Sequence, residues 1–118
     1  MAKNFGDYIR QRRELLRRDD RTFSVRKIAA RIGIEPSYLS KIERSELPPP
    51  AEVRITSLAE ILGEDPDILL AMAGKVSSDL QEAIRKRPKL FAELIRQLCD
   101  APDRAVLRIV REVRDGDW

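Results

Sequence analysis

Apolar residues recur at intervals of three and four along most of the chain, and the alternation typical of β-strands is scarce. This pattern predicts an all-α protein. Five helices are expected before Gly74 and three more after it, separated by prolines. The first five are predicted at about residues 4–17, 25–32, 36–45, 51–62 and 67–73. The change of pattern at Gly74 divides the chain into a domain at 1–74 and a helical extension at 75–118.

The second and third predicted helices are short and close together in the sequence. Ser24 is a good N-cap for the second helix, and Gly33 is a good stop because glycine adopts a left-handed conformation at little steric cost. The small Ala29 allows the two helices to approach each other. This spacing favours a helix-turn-helix, whose second helix can enter a DNA major groove. A glycine-turn helix corner with no role in DNA binding is the alternative.

The residues themselves narrow these alternatives. Residues 24–44 read SVRKIAARIGIEPSYLSKIER, preceded by FGDYIRQRR at 5–13 and followed by LAEILGEDPDILL at 58–70. Over about residues 4–74 the chain resembles the phage-repressor-like family, also called the XRE or Cro/CI type. The resemblance implies a five-helix, lambda-repressor-like DNA-binding domain, usually dimeric, that regulates transcription. The 75–118 segment follows it as an amphipathic extension.

The resemblance also implies roles for particular residues. The expected base contacts come from the third helix, at Pro36, Ser37, Ser40 and Lys41. The expected phosphate contacts are Ser24, Arg26, Tyr38, Arg44 and Arg54. Tyr38 has an equally good alternative role as an aromatic lid on the edge of the core. Val25 stands where the family usually has a glutamine, so the phosphate role falls to its neighbours.

Arg13 and Glu43 occupy positions where family members commonly pair an arginine of the first helix with a glutamate that ends the third. Such a buried pair would set the angle of the third helix rather than contact DNA. Arg12 departs from the family pattern, which usually has a leucine there.

The extension at 75–118 carries apolar stripes on two amphipathic helices. We expect these stripes to form a dimer interface, although packing on the first domain is an alternative. The interface residues expected are Leu90, Phe91, Leu94, Ile95, Leu98, Val106, Ile109, Val110 and Val113. Cys99, beside Leu98, is expected to be a buried small hydrophobe.

Composition excludes several functions. The chain has no histidine and one cysteine, so it lacks the residues of a His/Cys zinc site, a Ser-His-Asp triad or a Cys-His pair. We therefore predict no enzymatic activity, no metal and no cofactor. A single cysteine gives no internal disulfide, and no apolar run resembles a signal peptide or a membrane span, so a cytoplasmic protein is expected with no membrane partner.

Charge adds one more observation. The overall excess of 23 basic over 20 acidic residues is small. It is unevenly distributed, however, because residues 1–54 hold 13 basic and 8 acidic residues, whereas 55–74 hold four acidic residues and no basic one. The basic part coincides with the predicted helix-turn-helix, as expected for a protein that binds an anionic partner.

Together these observations predict a transcriptional regulator, a repressor, that binds a pseudo-palindromic operator in double-stranded DNA as a homodimer. An alternative is an antitoxin-like regulator. Its C-terminal helices would bind a protein partner, and its helix-turn-helix would autoregulate its own operon.

Overall fold

The computed structural model describes residues 4–118, and every regular element in that range is helical. The all-α prediction is therefore confirmed. The eight α-helices are α1 (Phe5–Arg17), α2 (Val25–Ile32), α3 (Pro36–Glu43), α4 (Glu52–Leu62), α5 (Pro66–Met72), α6 (Ser78–Lys86), α7 (Pro88–Leu98) and α8 (Asp103–Asp115).

The helices begin and end where short polar residues and glycines stand in the sequence. The side chain of Asn4 accepts from the amide of Asp7 at the start of α1, and Ser24 caps α2 in the same way. At the other end, α2 and α4 stop at Gly33 and Gly63, whose φ angles of 77° and 70° lie in the left-handed region. Local sequence thus accounts for these four boundaries.

One short element lies between α1 and α2, outside the predicted helices. Residues Arg21–Phe23 form a 3₁₀ helix before α2. The carboxylate of Asp20 accepts from the amide of Thr22 at 2.9 Å and from its hydroxyl at 2.7 Å. The Thr22 hydroxyl and amide hydrogen bonds hold the pKa of Asp20 below its ordinary value.

Contacts divide the chain into two compact units, with the division between Ser77 and Ser78. The first unit contains α1 to α5 around one hydrophobic core. Its buried apolar residues are Phe5, Ile9, Ile28, Ala29, Ile32, Leu39, Ile42, Ile55, Leu58, Ala59, Leu62, Leu69 and Leu70. All five helices contribute to it, so each fixes the position of the others.

The second unit contains α6, α7 and α8, and none of these helices has a buried residue. Their apolar stripes are therefore largely exposed. The expectation that Cys99 is buried was wrong, because it follows the last residue of α7 and its thiol is exposed. The thiol donates to the carbonyl of Arg96 at 3.2 Å, within its own helix end.

In the first unit, Gly6 lets the start of α1 approach the end of α3. A Cβ on Gly6 would lie 2.3 Å from the carbonyl oxygen of Ile42 and 3.1 Å from that of Glu43. The distance of 2.3 Å is shorter than a real Cβ allows, and the atom in the way belongs to the main chain rather than to a flexible side chain. A residue with any side chain would therefore push the two helices apart.

We expect Gly6→Ala to lower the free energy of unfolding by about 2 kcal/mol because of this overpacking. Helix propensity alone predicts the opposite sign, since alanine is favoured over glycine by up to about 1 kcal/mol. Urea unfolding followed by circular dichroism measures the difference, with Gln11→Ala on the exposed side of α1 as the control. A Gly6→Ala protein as stable as the parent would contradict the close approach.

Candidate nucleic-acid interface

The turn between α2 and α3 is tight and well defined. Ala29 is completely buried, and its carbonyl accepts from the amide of Ile34 at 3.0 Å across the turn. Gly33 supplies the left-handed residue that this hydrogen bond requires. Buried Ile28 and Leu39 belong to the common core from either side of the turn. The geometry is that of two short helices joined by a turn of three residues, as in a helix-turn-helix.

Two of the four predicted base contacts lie on the side of α3 that faces away from the core, and the other two are partly covered. Ser37 and Lys41 are exposed, and Ser40 is half-buried. Positions three and four apart lie on one helix face, so these three side chains form a short polar strip. Pro36 is the first residue of α3 and is also half-buried. Tyr38 packs partly against the core, which agrees with its alternative role as an aromatic lid.

A buried ion pair joins α1 to the end of α3. The Nε of Arg13 donates to Oε2 of Glu43 at 2.7 Å, and Nη2 donates to Oε1 at 2.8 Å. Each side chain is only 5% exposed. The remaining nitrogen, Nη1, donates to the carbonyl of Phe23 at 3.1 Å, which also ties down the 3₁₀ helix. The Glu43 carboxylate raises the pKa of the Arg13 guanidinium although burial opposes the charge.

A second set of contacts holds the end of α3. Ser45 follows the helix with a φ of 61°, a left-handed conformation that favours glycine. Its hydroxyl donates to Oδ1 of Asn4 at 3.2 Å, and the amide of Glu46 donates to the carbonyl of Lys41 at 2.8 Å. Asn4 therefore caps α1 and contacts the end of α3 with the same oxygen. The sequence did not predict the contact between Asn4 and Ser45, because these residues are 41 positions apart.

The predicted phosphate contacts do not all lie together. Ser24 and Arg26 are at the start of α2, where the Ser24 hydroxyl already accepts from the amide of Lys27 at 3.2 Å. Arg44 lies with Ser40 in a groove of about 180 Å³ that also includes Val25 and the buried pair. The Arg44 Nε donates to a carboxylate oxygen of Glu46 at 2.6 Å, in an exposed ion pair.

Arg54 is separate from the other predicted phosphate contacts. Its Nη1 donates to the carbonyl of Ile32, the last residue of α2. That carbonyl lies at the opposite end of α2 from Ser24. Arg54 therefore already has an internal partner.

The contacts of the Arg12 side chain explain why an arginine stands where the family usually has a leucine. Its Nε donates to the carbonyl of Leu62, the last residue of α4, at 3.0 Å and lies 3.2 Å from Oε1 of Glu64. A hydrogen bond to Glu64, together with burial, raises the pKa of Tyr8. A polar residue at position 12 therefore links α1 to the end of α4. Only the folded structure reveals this role, since its partner is a main-chain carbonyl.

A family model described as a helix-turn-helix domain matches residues 4–71 of this 118-residue chain. The chain belongs to the helix-turn-helix domain family. This membership confirms the resemblance predicted from the sequence and indicates a DNA-binding regulator. No curated protein and no solved structure gives a significant match.

The matched range runs from the N-cap of α1 almost to the end of α5. It includes the α2 and α3 pair, the Arg13 and Glu43 ion pair, and the packing of Gly6 against α3. The helices α6 to α8 lie beyond the match. Within residues 4–118, no helix combines the length and apolar character needed to cross a membrane.

Removing one partner of the buried pair tests how much the helix-turn-helix domain depends on it. We expect Glu43→Ala to cost about 3–5 kcal/mol in unfolding free energy, because it leaves the Arg13 charge buried and unpaired. Urea unfolding at pH 7 measures this loss. The milder variant Glu43→Gln keeps hydrogen-bonding capacity at the same place and should lose less.

A matched control exists on the surface of α1. Glu14 pairs with Arg10 at 3.2 Å, but both side chains are 53% exposed. Glu14→Ala should change stability by no more than about 0.5 kcal/mol. Equal losses for Glu43→Ala and Glu14→Ala would mean that the buried pair is not a structural constraint.

Proposed function

We propose that this protein is a sequence-specific transcriptional repressor that binds a pseudo-palindromic operator as a homodimer. The observation that carries the proposal is a polar strip on α3, formed by exposed Ser37 and Lys41 and half-buried Ser40. The buried Arg13 and Glu43 pair holds the C-terminal end of this helix. A helix held rigidly at a fixed angle is what reading base edges requires, since misplaced donors lose their hydrogen bonds. The helix α3 is called the recognition helix below.

Within this proposal, Lys41 donates to guanine O6 or N7 in the major groove. Ser37 and Ser40 have hydroxyls that serve bases or phosphates. Pro36 has no amide hydrogen, so its contribution is van der Waals contact at the first position of the recognition helix. Tyr38 contacts a sugar-phosphate only with the part of its ring that the core leaves uncovered.

Phosphate contacts would come from both ends of this surface. Arg26 is exposed in the first turn of α2, next to the capping Ser24, where helix amides also favour an anion. Arg44 follows the recognition helix and is about half exposed. A phosphate would compete with Glu46 for its guanidinium. The excess of basic residues in 1–54 supports association of this part of the chain with DNA.

Two variants separate reading of sequence from binding to phosphate. Lys41→Ala should reduce discrimination at one base pair of each half-site by about 1–3 kcal/mol, or roughly 5-fold to 150-fold in Kd. Arg26→Ala should weaken binding to all duplexes and lower the slope of log K against log salt by about 1. Fluorescence anisotropy with an operator selected from random DNA and its single-base variants measures both.

The two outcomes are distinguishable in the same assay. If Lys41→Ala weakened binding to every duplex equally, Lys41 would be a phosphate contact and the proposed readout would be wrong. Circular dichroism provides the folding control for both variants.

The dimer part of the proposal depends on the second unit. Ile95 and Val110 are 54% and 51% exposed on the amphipathic helices α7 and α8. Of the other expected interface residues, Leu90, Leu94, Ile109 and Val113 are exposed, and Phe91, Leu98 and Val106 are half-buried. Successive apolar faces of this extent are unusual for a monomer. A second copy of the chain would cover them by a two-fold symmetric contact.

Charge substitutions in these faces test the dimer. The parent should sediment as a dimer of the 13.6 kDa chain, whereas Ile95→Glu and Val110→Glu should sediment as monomers at micromolar concentration. Leu15→Glu is the matched control, because Leu15 is 48% exposed but lies in the first unit. The Leu15→Glu protein should still sediment as a dimer.

A parent that sediments as a monomer would contradict the homodimer. It would favour the alternative in which α7 and α8 bind a different protein and the helix-turn-helix autoregulates an operon, as in an antitoxin. In either case the protein acts by binding DNA rather than by catalysis, and its place of action is the bacterial or phage-infected cytoplasm that contains the DNA.

A further inference from the structure

Arg54 lies in the first turn of α4, yet its guanidinium reaches a different helix. Nη1 donates to the carbonyl of Ile32 in a partly buried hydrogen bond. This carbonyl ends α2, where carbonyl groups lack partners within the helix and the helix dipole is negative. A cation that donates to it stabilises the end of α2 by both effects.

The same guanidinium covers Gly33. A Cβ at Gly33 would lie 2.9 Å from Nη1 and 3.7 Å from Cζ of Arg54. Gly33 is therefore suited to its position for two reasons, namely its φ of 77° and the space that it leaves for Arg54. The Nη1 atom that donates to Ile32 is also the atom closest to Gly33, and the two contacts together place Arg54 at the turn before the recognition helix.

We propose that Arg54 is a positioning residue of the recognition helix rather than a phosphate contact. It ties α4 to the last residue of α2 and thereby fixes the turn from which α3 begins. The inference rests on the proposed function, because the positioning acts on DNA recognition. The positioning role of Arg54 replaces the phosphate contact that the sequence analysis expected of it. The expected phosphate contacts Ser24 and Arg26 lie at the opposite end of α2 and are kept.

The two roles predict different dependences on salt and on DNA sequence. A phosphate contact contributes to every duplex equally, and its loss lowers the salt slope by about 1. A positioning residue holds donors that read bases, so its loss reduces discrimination and leaves the salt slope unchanged. The appropriate variants are Arg54→Ala and Arg54→Lys. The control is Arg18→Ala, which removes the same charge from another exposed arginine, at the C-cap of α1.

Binding is measured by fluorescence anisotropy over a salt series, with the selected operator and a scrambled duplex, at a temperature where each variant is folded. Arg54→Ala should weaken operator binding about tenfold more than scrambled-duplex binding, at a parental salt slope. Arg54→Lys should recover part of the discrimination, because an ammonium can also donate to the Ile32 carbonyl. Arg18→Ala should match the parent.

A second measurement needs no DNA. Amide hydrogen exchange should show about tenfold lower protection of Ile34, whose amide donates across the turn to Ala29, in Arg54→Ala than in Arg18→Ala. The Leu69 amide donates to the carbonyl of Asp65, the N-cap of α5, and its protection should be unchanged in Arg54→Ala.

The results that overturn the inference are specific. Equal weakening of both duplexes with a salt slope lowered by about 1 would make Arg54 a phosphate contact. Unchanged discrimination with lower stability would make it a structural residue only, and unchanged protection of Ile34 would remove its effect on the turn. If the parent bound no duplex, the proposed function would fail, while protection of Ile34 would still decide whether Arg54 holds the turn.

Discussion

The buried ion pair between Arg13 and Glu43 is the constraint on which the DNA-binding unit depends. Two charges in a hydrophobic setting cost several kcal/mol each in desolvation, and only close bidentate hydrogen bonds offset that cost. Here both carboxylate oxygens are used at 2.7 and 2.8 Å, and the third guanidinium nitrogen donates to Phe23. The pair therefore tolerates only one arrangement of α1, α3 and the 3₁₀ helix.

The recognition helix is held at both ends, by different means. At its C-terminal end the ion pair is joined by two further contacts. Gly6 allows α1 to pack against the carbonyls of α3, and Asn4 accepts from the hydroxyl of Ser45. At its start, Gly33 sets the turn, and Arg54 of α4 donates to Ile32 just before it. Between these ends the side chains of Ser37 and Lys41 are exposed and do not belong to the core. A rigid helix with free polar side chains is suited to reading base edges.

How much of this was predictable from sequence depended on the range of each interaction. Helix boundaries have local causes, such as the Ser24 cap and the Gly33 stop, and the predicted boundaries agreed with the structure to within a residue or two. The Arg13 and Glu43 pair was expected from the resemblance, because both residue types stand at the right positions. By contrast, Gly6, Arg12 and Arg54 act on main-chain carbonyls that lie far away in the sequence. A carbonyl is present at every residue, so such contacts leave no pattern of paired residue types.

The most direct test of sequence-specific binding is selection of bound sequences from random duplex DNA at a stated salt concentration. We expect enrichment of an inverted repeat whose half-sites lie about 34 Å, or one helical turn, apart, as a two-fold dimer of recognition helices requires. A selection that enriches no sequence, from a folded protein, would contradict sequence-specific DNA binding.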